Sequence, residues 1–226
     1  MNTLKHLVFE NFRSLVLFMG CCFVPLLLLM VRIKITSEFF LLFLVWNLFL
    51  AAVPLLLSFW LQKNTHLKKW QLLFWSVVWI LFLPNAPYIL TDFIHLQLSG
   101  GIAIIIDFIV ISSFAISGLL FYIQSVTQME VLFYGHFSKK FTAFIILLLP
   151  FLCGFGIYLG RFLRWNSWDL LHHPQGIMID VVTPLLAPLD NKLAWTVTLL
   201  FGFGLHISMI IYKSWNTKTT KSRKQR

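Results

Sequence analysis

The stretch FFLLFLVWNLFLAAVPLLLSFWL, which runs from Phe39 to Leu61, decides the fold class of this chain. It contains no charged residue. A helix of about 20 apolar residues crosses the roughly 30 Å hydrocarbon core of a bilayer, because each residue adds about 1.5 Å. The chain contains six such runs, which are Leu15–Val31, Phe39–Leu61, Trp70–Leu90, Ile102–Ile123, Phe141–Gly160 and Leu193–Tyr212.

The composition also indicates a membrane protein. Apolar residues make up 59% of the 226 positions, and charged residues make up only 12%. Soluble domains carry about 25% charged residues, so this chain could not cover itself with a polar surface. The alternation of a transmembrane β-barrel is absent. We therefore predict an all-α polytopic membrane protein with one six-helix domain over residues 1–212 and a basic tail over 213–226.

Lysine and arginine residues indicate the orientation of the six runs. Six crossings place both termini on one side, and 13 of the 18 Lys and Arg residues fall on that side. Because cytoplasmic loops carry the excess of positive charge, we expect both termini in the cytoplasm. The five residues expected on the outer side are Arg32, Lys34, Arg161, Arg164 and Lys192.

The net charge of +10 is explained by this topology and does not require a nucleic-acid partner. We expect membrane lipids as partners and no nucleic acid. The basic tail Lys213–Arg226 would attract anionic headgroups, at about 1 kcal/mol per basic residue near the surface.

Two connections between the runs are long. Gln124–Lys140, on the cytoplasmic side, is expected either to extend the fourth helix or to lie in the interface as an amphipathic segment. Arg161–Lys192, on the outer side, contains the apolar stretch Ile177–Leu189. That stretch is too short to span, so we expect it to be re-entrant or to lie on the surface.

Polar residues collect at the outer ends of the runs. Pro84 and Pro87 each lack a backbone donor and are expected to disturb the third helix. Such interrupted backbone is tolerated at membrane depth only where it is buried in protein or faces water. The third and fifth runs end, and the fourth begins, on the outer side. This places nine polar residues in or above the outer leaflet: Asn85, Tyr88, Asp92, His95, Asp107, Arg161, Arg164, Asn166 and Asp169.

These nine residues are the candidate site. A carboxylate near the bilayer centre costs about 2.5 to 3.5 kcal/mol, so Asp107 should find a partner, and Arg161 is the first candidate. One interpretation is a structural ion pair between the fourth and fifth helices. In the other, Arg161 and Arg164 bind an anionic headgroup or phosphate. Asp92 and His95 would then be catalytic, as acid and base. The candidate ligand-binding residues are Asn85, Tyr88, Asp107, Arg161, Arg164, Asn166 and Asp169, with the two asparagines orienting the ligand.

A metal site is a weaker hypothesis. Asp92 and His95 share the spacing Asp-x-x-His with Asp169 and His172, and two such pairs could form a shell for zinc or manganese. The pattern is short and often arises by chance, so we assign no metal ligand. The cofactor is unknown, because no P-loop or dinucleotide fingerprint is present.

Small and polar residues inside the runs predict how the helices pack. Gly154, Gly156 and Gly160 in the fifth run, with Gly202 and Gly204 in the sixth, predict a close approach of these two helices. Asn47 in the second run is expected to donate a hydrogen bond to a neighbouring helix.

Three motifs resemble an uncharacterised family of bacterial multi-pass inner-membrane proteins, a domain of unknown function. They are WNLFLA at 46–51, LFLPNAPYILTD at 81–92 and GIYLGRFLRWNSWD at 156–169. The resemblance covers the second to sixth runs. It implies a bacterial plasma (inner) membrane location and no assigned activity or cofactor.

The leading functional hypothesis is a protein with a polar site at the outer leaflet that binds or modifies a lipid or envelope-precursor headgroup. Whether the chain is an enzyme stays open. The alternatives are a small transporter, or a structural or assembly partner of other membrane proteins.

Overall fold

A computed structural model describes residues 12–64, 67–98 and 103–224 of the chain. Within these residues the regular structure is entirely helical, without a strand. The helices are α1 (Phe12–Thr36), α2 (Phe43–Lys63), α3 (Lys69–Phe82), α4 (Asn85–Tyr88), α5 (Ala103–His136), α6 (Lys139–Arg161), α7 (Asp169–His172), α8 (Pro174–Leu186) and α9 (Lys192–Lys224). Two 3₁₀ segments, Phe40–Leu42 and Ile89–Leu98, precede α2 and follow α4.

Six helical stretches in the described residues are long and apolar enough to cross a membrane. They are Val16–Thr36, Phe40–Lys63, Lys69–Leu96, Ala103–His136, Lys139–Arg161 and Lys192–Trp215. Each contains most or all of one of the predicted runs, so the prediction of a multi-pass α-helical membrane protein with six spans is confirmed. The fourth span continues without a break to His136, which confirms the expected extension of this helix through Gln124 and beyond.

The third span is interrupted where the prolines predict it. α3 ends at Phe82, a turn follows at Leu83 and Pro84, and the four-residue α4 passes into the 3₁₀ segment Ile89–Leu98. Pro84 and Pro87 remove two backbone donors within one turn, and the regular α-helix breaks here, whereas α1, α2 and α6 each continue through a single proline. The 3₁₀ geometry has about three residues per turn, so side chains three positions apart point in the same direction. Asp92 and His95 have this relation.

The contacts divide the chain into two compact units. The first unit comprises Met1–Ala52 and Asn85–Phe121, and the second unit comprises Val53–Pro84 and Tyr122–Arg226. In the first unit α4 lies close to α5, since a Cβ on Gly118 would collide with the backbone carbonyl of Ala86. Buried side chains such as Leu44, Ile89 and Phe114 form its interior.

In the second unit α6 packs tightly against α9. Ile157, Tyr158, Ala194 and Val197 form a buried cluster between them. A Cβ on Gly154 would lie 2.5 Å from the backbone oxygen of Thr198, so only glycine permits this approach. The predicted close contact of the fifth and sixth spans is therefore confirmed at Gly154.

Not every glycine of the predicted set serves the α6–α9 contact. Gly156 lies against the ring of Pro84, which follows α3 in the same unit. Gly204 has open space around it.

A hydrogen-bonded serine joins three helices of the second unit. The indole nitrogen of Trp79 in α3 donates to Ser125 Oγ in α5 at 2.8 Å, and this hydroxyl donates to the carbonyl of Pro54 in α2 at 2.9 Å. All three positions are buried. Such satisfied contacts between helices are the usual way in which membrane proteins bury polar groups.

Candidate functional site

A buried ion pair joins α1 to α5 in the first unit. Arg32 Nε donates to Asp107 Oδ1 at 2.8 Å, and Arg32 Nη2 lies 3.3 Å from Asp107 Oδ2. Only 1% of either side chain is exposed. Arg32 lies one turn before the end of α1, and Asp107 lies one turn after the start of α5. The two-pronged geometry is the strong form of an arginine–carboxylate contact.

A second carboxylate shares the same guanidinium. Arg32 Nη2 contacts Glu38 Oε2 at 3.0 Å, and Nη1 donates to the Glu38 carbonyl at 2.7 Å. Ser37, between α1 and Glu38, has a φ of 56°, and its N–H donates to the Ile33 carbonyl at 2.8 Å. This left-handed residue ends the helix and turns the chain back, which brings Glu38 to Arg32. The Glu38 side chain stays 65% exposed.

Asp92, one of the two candidate catalytic residues, is fully buried in the first unit. Asn47 Nδ2, one turn into α2, donates to Asp92 Oδ2 at 2.8 Å. The expectation that Asn47 bonds to a neighbouring helix is confirmed, and its partner is a candidate site residue. The amide fixes the orientation of one oxygen of the carboxylate.

His95, the second candidate catalytic residue, is half-buried. Its ring packs edge-to-face against Phe40 and Phe43, with centroid distances of 5.7 Å and 4.8 Å. These aromatic residues belong to the start of the second span, as does Asn47. The second span therefore contacts both Asp92 and His95, which lie three residues apart on the 3₁₀ segment.

Asn85 and Tyr88 begin and end α4, and both side chains are half-buried. The carbonyl of Tyr88 accepts a hydrogen bond from Thr91 Oγ1 at 2.7 Å. The first unit thus contains five candidate residues, Asn85, Tyr88, Asp92, His95 and Asp107.

The other four candidates belong to the second unit, at or after the end of α6. Arg161 is the last residue of α6 and is half-buried, whereas Arg164 is exposed. Arg164 has a φ of 63°, in the left-handed region that glycine prefers. The N–H of Trp165 donates back to the Leu159 carbonyl at 3.1 Å, which closes the end of the helix.

Asn166 and Asp169 bond to each other. Asp169 Oδ2 accepts from the backbone N–H of Asn166 at 2.7 Å and from Asn166 Nδ2 at 3.2 Å. Asp169 is the first residue of α7, and its N–H donates to the Asn166 carbonyl at 3.0 Å, so the two residues close a turn before the helix. The geometry gives this pair a local structural role in the loop.

The described residues contain no group of three or more His, Cys, Asp or Glu side chains that could hold a metal ion. The two Asp-x-x-His pairs of the zinc or manganese hypothesis fall in different units. The geometry therefore adds nothing in support of that hypothesis.

Residues 46–208 match the family described as "Protein of unknown function (DUF1361)". The chain belongs to this family. The predicted resemblance to a domain of unknown function is thus confirmed. No curated protein and no solved structure matches the chain. The DUF1361 match contains all nine candidate residues and Asn47, whereas Arg32 and Glu38 precede it.

Sequence reasoning missed the role of Arg32. The sequence places Arg32 among the five cations of the outer side and makes Arg161 the first candidate partner of Asp107, a pairing that stays a prediction. The structure gives Asp107 a partner on α1, since this DUF1361 chain remains helical to Thr36 and Arg32 lies inside the helix. The sequence did contain a signal for this pair. An unpaired charge in the membrane is costly, so an arginine at the end of an apolar run needs a carboxylate partner just as Asp107 needs a cation.

Proposed function

We propose that this DUF1361 protein is a bacterial inner-membrane protein that binds the anionic headgroup of a lipid or envelope precursor at the outer leaflet. Both termini would lie in the cytoplasm, as the distribution of Lys and Arg favours. Residues 1–212 would form one transmembrane domain, followed by the basic tail 213–226. The six spans support the membrane location.

The observation that carries the proposal is the buried carboxylate of Asp92, oriented by Asn47 and placed three residues before His95. Burying a carboxylate is costly, so buried carboxylates are found where they pair with another group or take part in a functional site. An oriented carboxylate with an imidazole on the same side of a 3₁₀ segment can hold and move a proton. In this proposal Asp92 and His95 act as acid and base on the bound headgroup.

Arg161 and Arg164 would supply the positive charge that holds the anion. They lie at the end of the fifth span, and Asp92 lies near the end of the third. The proposal places both ends on the same side of the membrane, because alternate spans of a multi-pass protein run in the same direction. Asn85, Tyr88 and Asn166 would orient the ligand by hydrogen bonds. Asp107 would support the site through Arg32 instead of touching the ligand, and Asp169 would shape the loop of Asn166.

Native mass spectrometry of protein extracted in its own lipids tests this function. Wild type is compared with Asp92→Asn, Arg161→Ala and Arg164→Gly. Asp92→Asn keeps an oxygen that can accept from Asn47. Arg164→Gly removes a cation while suiting the left-handed backbone, so it should not harm folding. Asp190→Asn and Lys192→Ala, which change exposed charges nearby in the chain, are the matched controls.

We expect wild type, both controls and Asp92→Asn to retain an anionic lipid or precursor, and Arg161→Ala and Arg164→Gly to lose most of it. Retention by every correctly folded variant would overturn the proposal. So would a wild-type protein without any bound anion, which would favour a structural or assembly role. A change in the mass of the bound molecule during incubation, absent in Asp92→Asn, would identify the protein as an enzyme.

A further inference from the structure

The short helix α8, Pro174–Leu186, lies between the fifth and sixth spans. It is apolar, yet its 13 residues measure only about 20 Å at 1.5 Å per residue, which is less than a bilayer core. This agrees with the expectation that the apolar stretch of this loop does not cross the membrane. Its position follows from contacts within the second unit.

One face of α8 is fixed to the ends of the two neighbouring spans. Trp165, which follows α6, donates its indole N–H to Asp180 Oδ2 at 2.7 Å. Trp195, in the first turn of α9, donates its indole N–H to the Pro184 carbonyl at 3.0 Å. Gly176 lies against the Trp165 ring, where a Cβ would be 3.0 Å from the indole. Gly176, Asp180 and Pro184 are four residues apart and therefore form one stripe of the helix.

The opposite face of α8 is apolar and open. Its side chains are between 39% and 79% exposed. At 100° per residue they cover an arc of about 120°, with Gln175 in the first turn as the polar exception. These residues are Met178, Ile179, Val182, Leu185 and Leu186. Leu171 before the helix and Leu189 after it are also exposed.

We propose that this face is immersed in the outer leaflet of the bilayer, at the boundary between headgroups and acyl chains, and that α8 lies in the membrane plane. The occupant of the surface is the lipid that already surrounds the spans. Leu193 and Leu200 of α9 are exposed apolar residues of the sixth span, and Trp195 of the same span is hydrogen-bonded to α8. α8 contains no Lys or Arg, so apolar area holds it in the membrane, without attraction to anionic lipid.

The hydrogen bonds of Trp165 and Trp195 are consistent with α8 lying at this depth. Trp165 and Trp195 each use the indole N–H in a hydrogen bond to α8 and keep a large apolar ring beside it. Tryptophan is enriched at the level of the headgroups, where a ring with one polar edge suits both environments. An α8 at this depth holds Arg164 and the loop Phe162–His173 at the headgroup surface. The inference does not depend on whether that loop binds a ligand.

Spin labels on single cysteines in nanodiscs of phosphatidylcholine and phosphatidylglycerol test the inference. Cys21 and Cys22 are replaced by alanine, and the buried Cys153 is kept. Labels at Met178 and Leu185 report on the open face. Leu200, in the sixth span, is the lipid control, and the exposed Asp190 is the aqueous control.

We expect the labels at Met178 and Leu185 to collide severalfold more often with oxygen, and severalfold less often with a water-soluble nickel chelate, than the label at Asp190. Their depth should fall between those of Asp190 and Leu200. Nickel access equal to that at Asp190 would place the face in water and overturn the proposal. Exclusion of both reagents would also overturn it, because protein would then cover the face. Val182 replaces either position if its labelled variant does not elute like wild type.

Discussion

Replacing Asp107 with asparagine should destabilise the protein by about 3 kcal/mol. Removal of one member of a buried ion pair costs about 3–5 kcal/mol, because the remaining charge loses its compensation. Both side chains are almost fully buried here. The new amide could still accept one hydrogen bond from Arg32, and Glu38 would still lie beside the guanidinium, so we expect the lower end of that range. Arg32→Met removes all four hydrogen bonds that the guanidinium donates to Glu38 and Asp107, and it should approach the upper end.

Glu38→Gln is the matched control, because Glu38 contacts the same guanidinium with an exposed carboxylate. Exposed ion pairs contribute about 0–1 kcal/mol, so this variant should differ little from wild type. The double variant Arg32→Met/Asp107→Asn removes both charges and should be less destabilised than the sum of the two single changes.

The assay is reversible unfolding in mixed micelles, followed by the fluorescence of the nine tryptophans. It gives the free energy of unfolding for wild type, the single variants and the double variant. If Asp107→Asn costs no more than Glu38→Gln, the buried pair does not stabilise the fold as argued. Strict additivity in the double variant would likewise show that the two side chains are not coupled.

Three further predictions concern the second unit. Gly154→Ala should destabilise the protein by about 1–3 kcal/mol in the same unfolding assay, because the new Cβ would collide with the Thr198 backbone. Gly204→Ala is the control. Because Gly204 has open space around it, this change should be neutral or stabilising by up to about 1 kcal/mol. Equal costs at the two positions would contradict the α6–α9 packing. Arg164→Gly should stabilise the protein by about 1 kcal/mol, since it relieves a left-handed conformation, and a loss of stability would refute the reasoning. Trp165→Phe should cost about 1 kcal/mol and raise the hydrogen exchange of the α8 amides, whereas Trp168→Phe should leave that exchange unchanged.

The spans could be predicted from the sequence because a bilayer dictates the length of what crosses it. The break in the third span was also predictable, since Pro84 and Pro87 remove two backbone donors within one turn, whereas the single prolines Pro25, Pro54 and Pro150 leave their helices continuous. The ends of helices were less predictable. The first apolar run was expected to end at Val31, but α1 continues to Thr36, and those few residues decide whether Arg32 lies in a loop or inside a helix.

The partners of the polar residues could not be predicted, because pairing depends on which helix ends meet. Asn47 was expected to donate to a neighbour, yet nothing in the sequence identifies that neighbour as Asp92. Asp169 is different. Its spacing of three residues from Asn166 is that of the two ends of a β-turn, so this local contact could have been predicted from the sequence. The roles of Asp92, His95, Arg161 and Arg164 in binding or catalysis stay predictions.

The guanidinium shared between a near and a distant carboxylate also bears on how the chain is made. Asp107 follows Arg32 by 75 residues, whereas Glu38 follows it by only 6. At about 5–20 residues per second, the ribosome adds Asp107 roughly 4–15 s after Arg32. During that interval Glu38 is already synthesised and lies close to Arg32 in the chain. Its carboxylate can neutralise Arg32 after the first helix has entered the membrane and before Asp107 is made. Glu38 would therefore matter more for the yield of inserted protein than for the stability of the finished one.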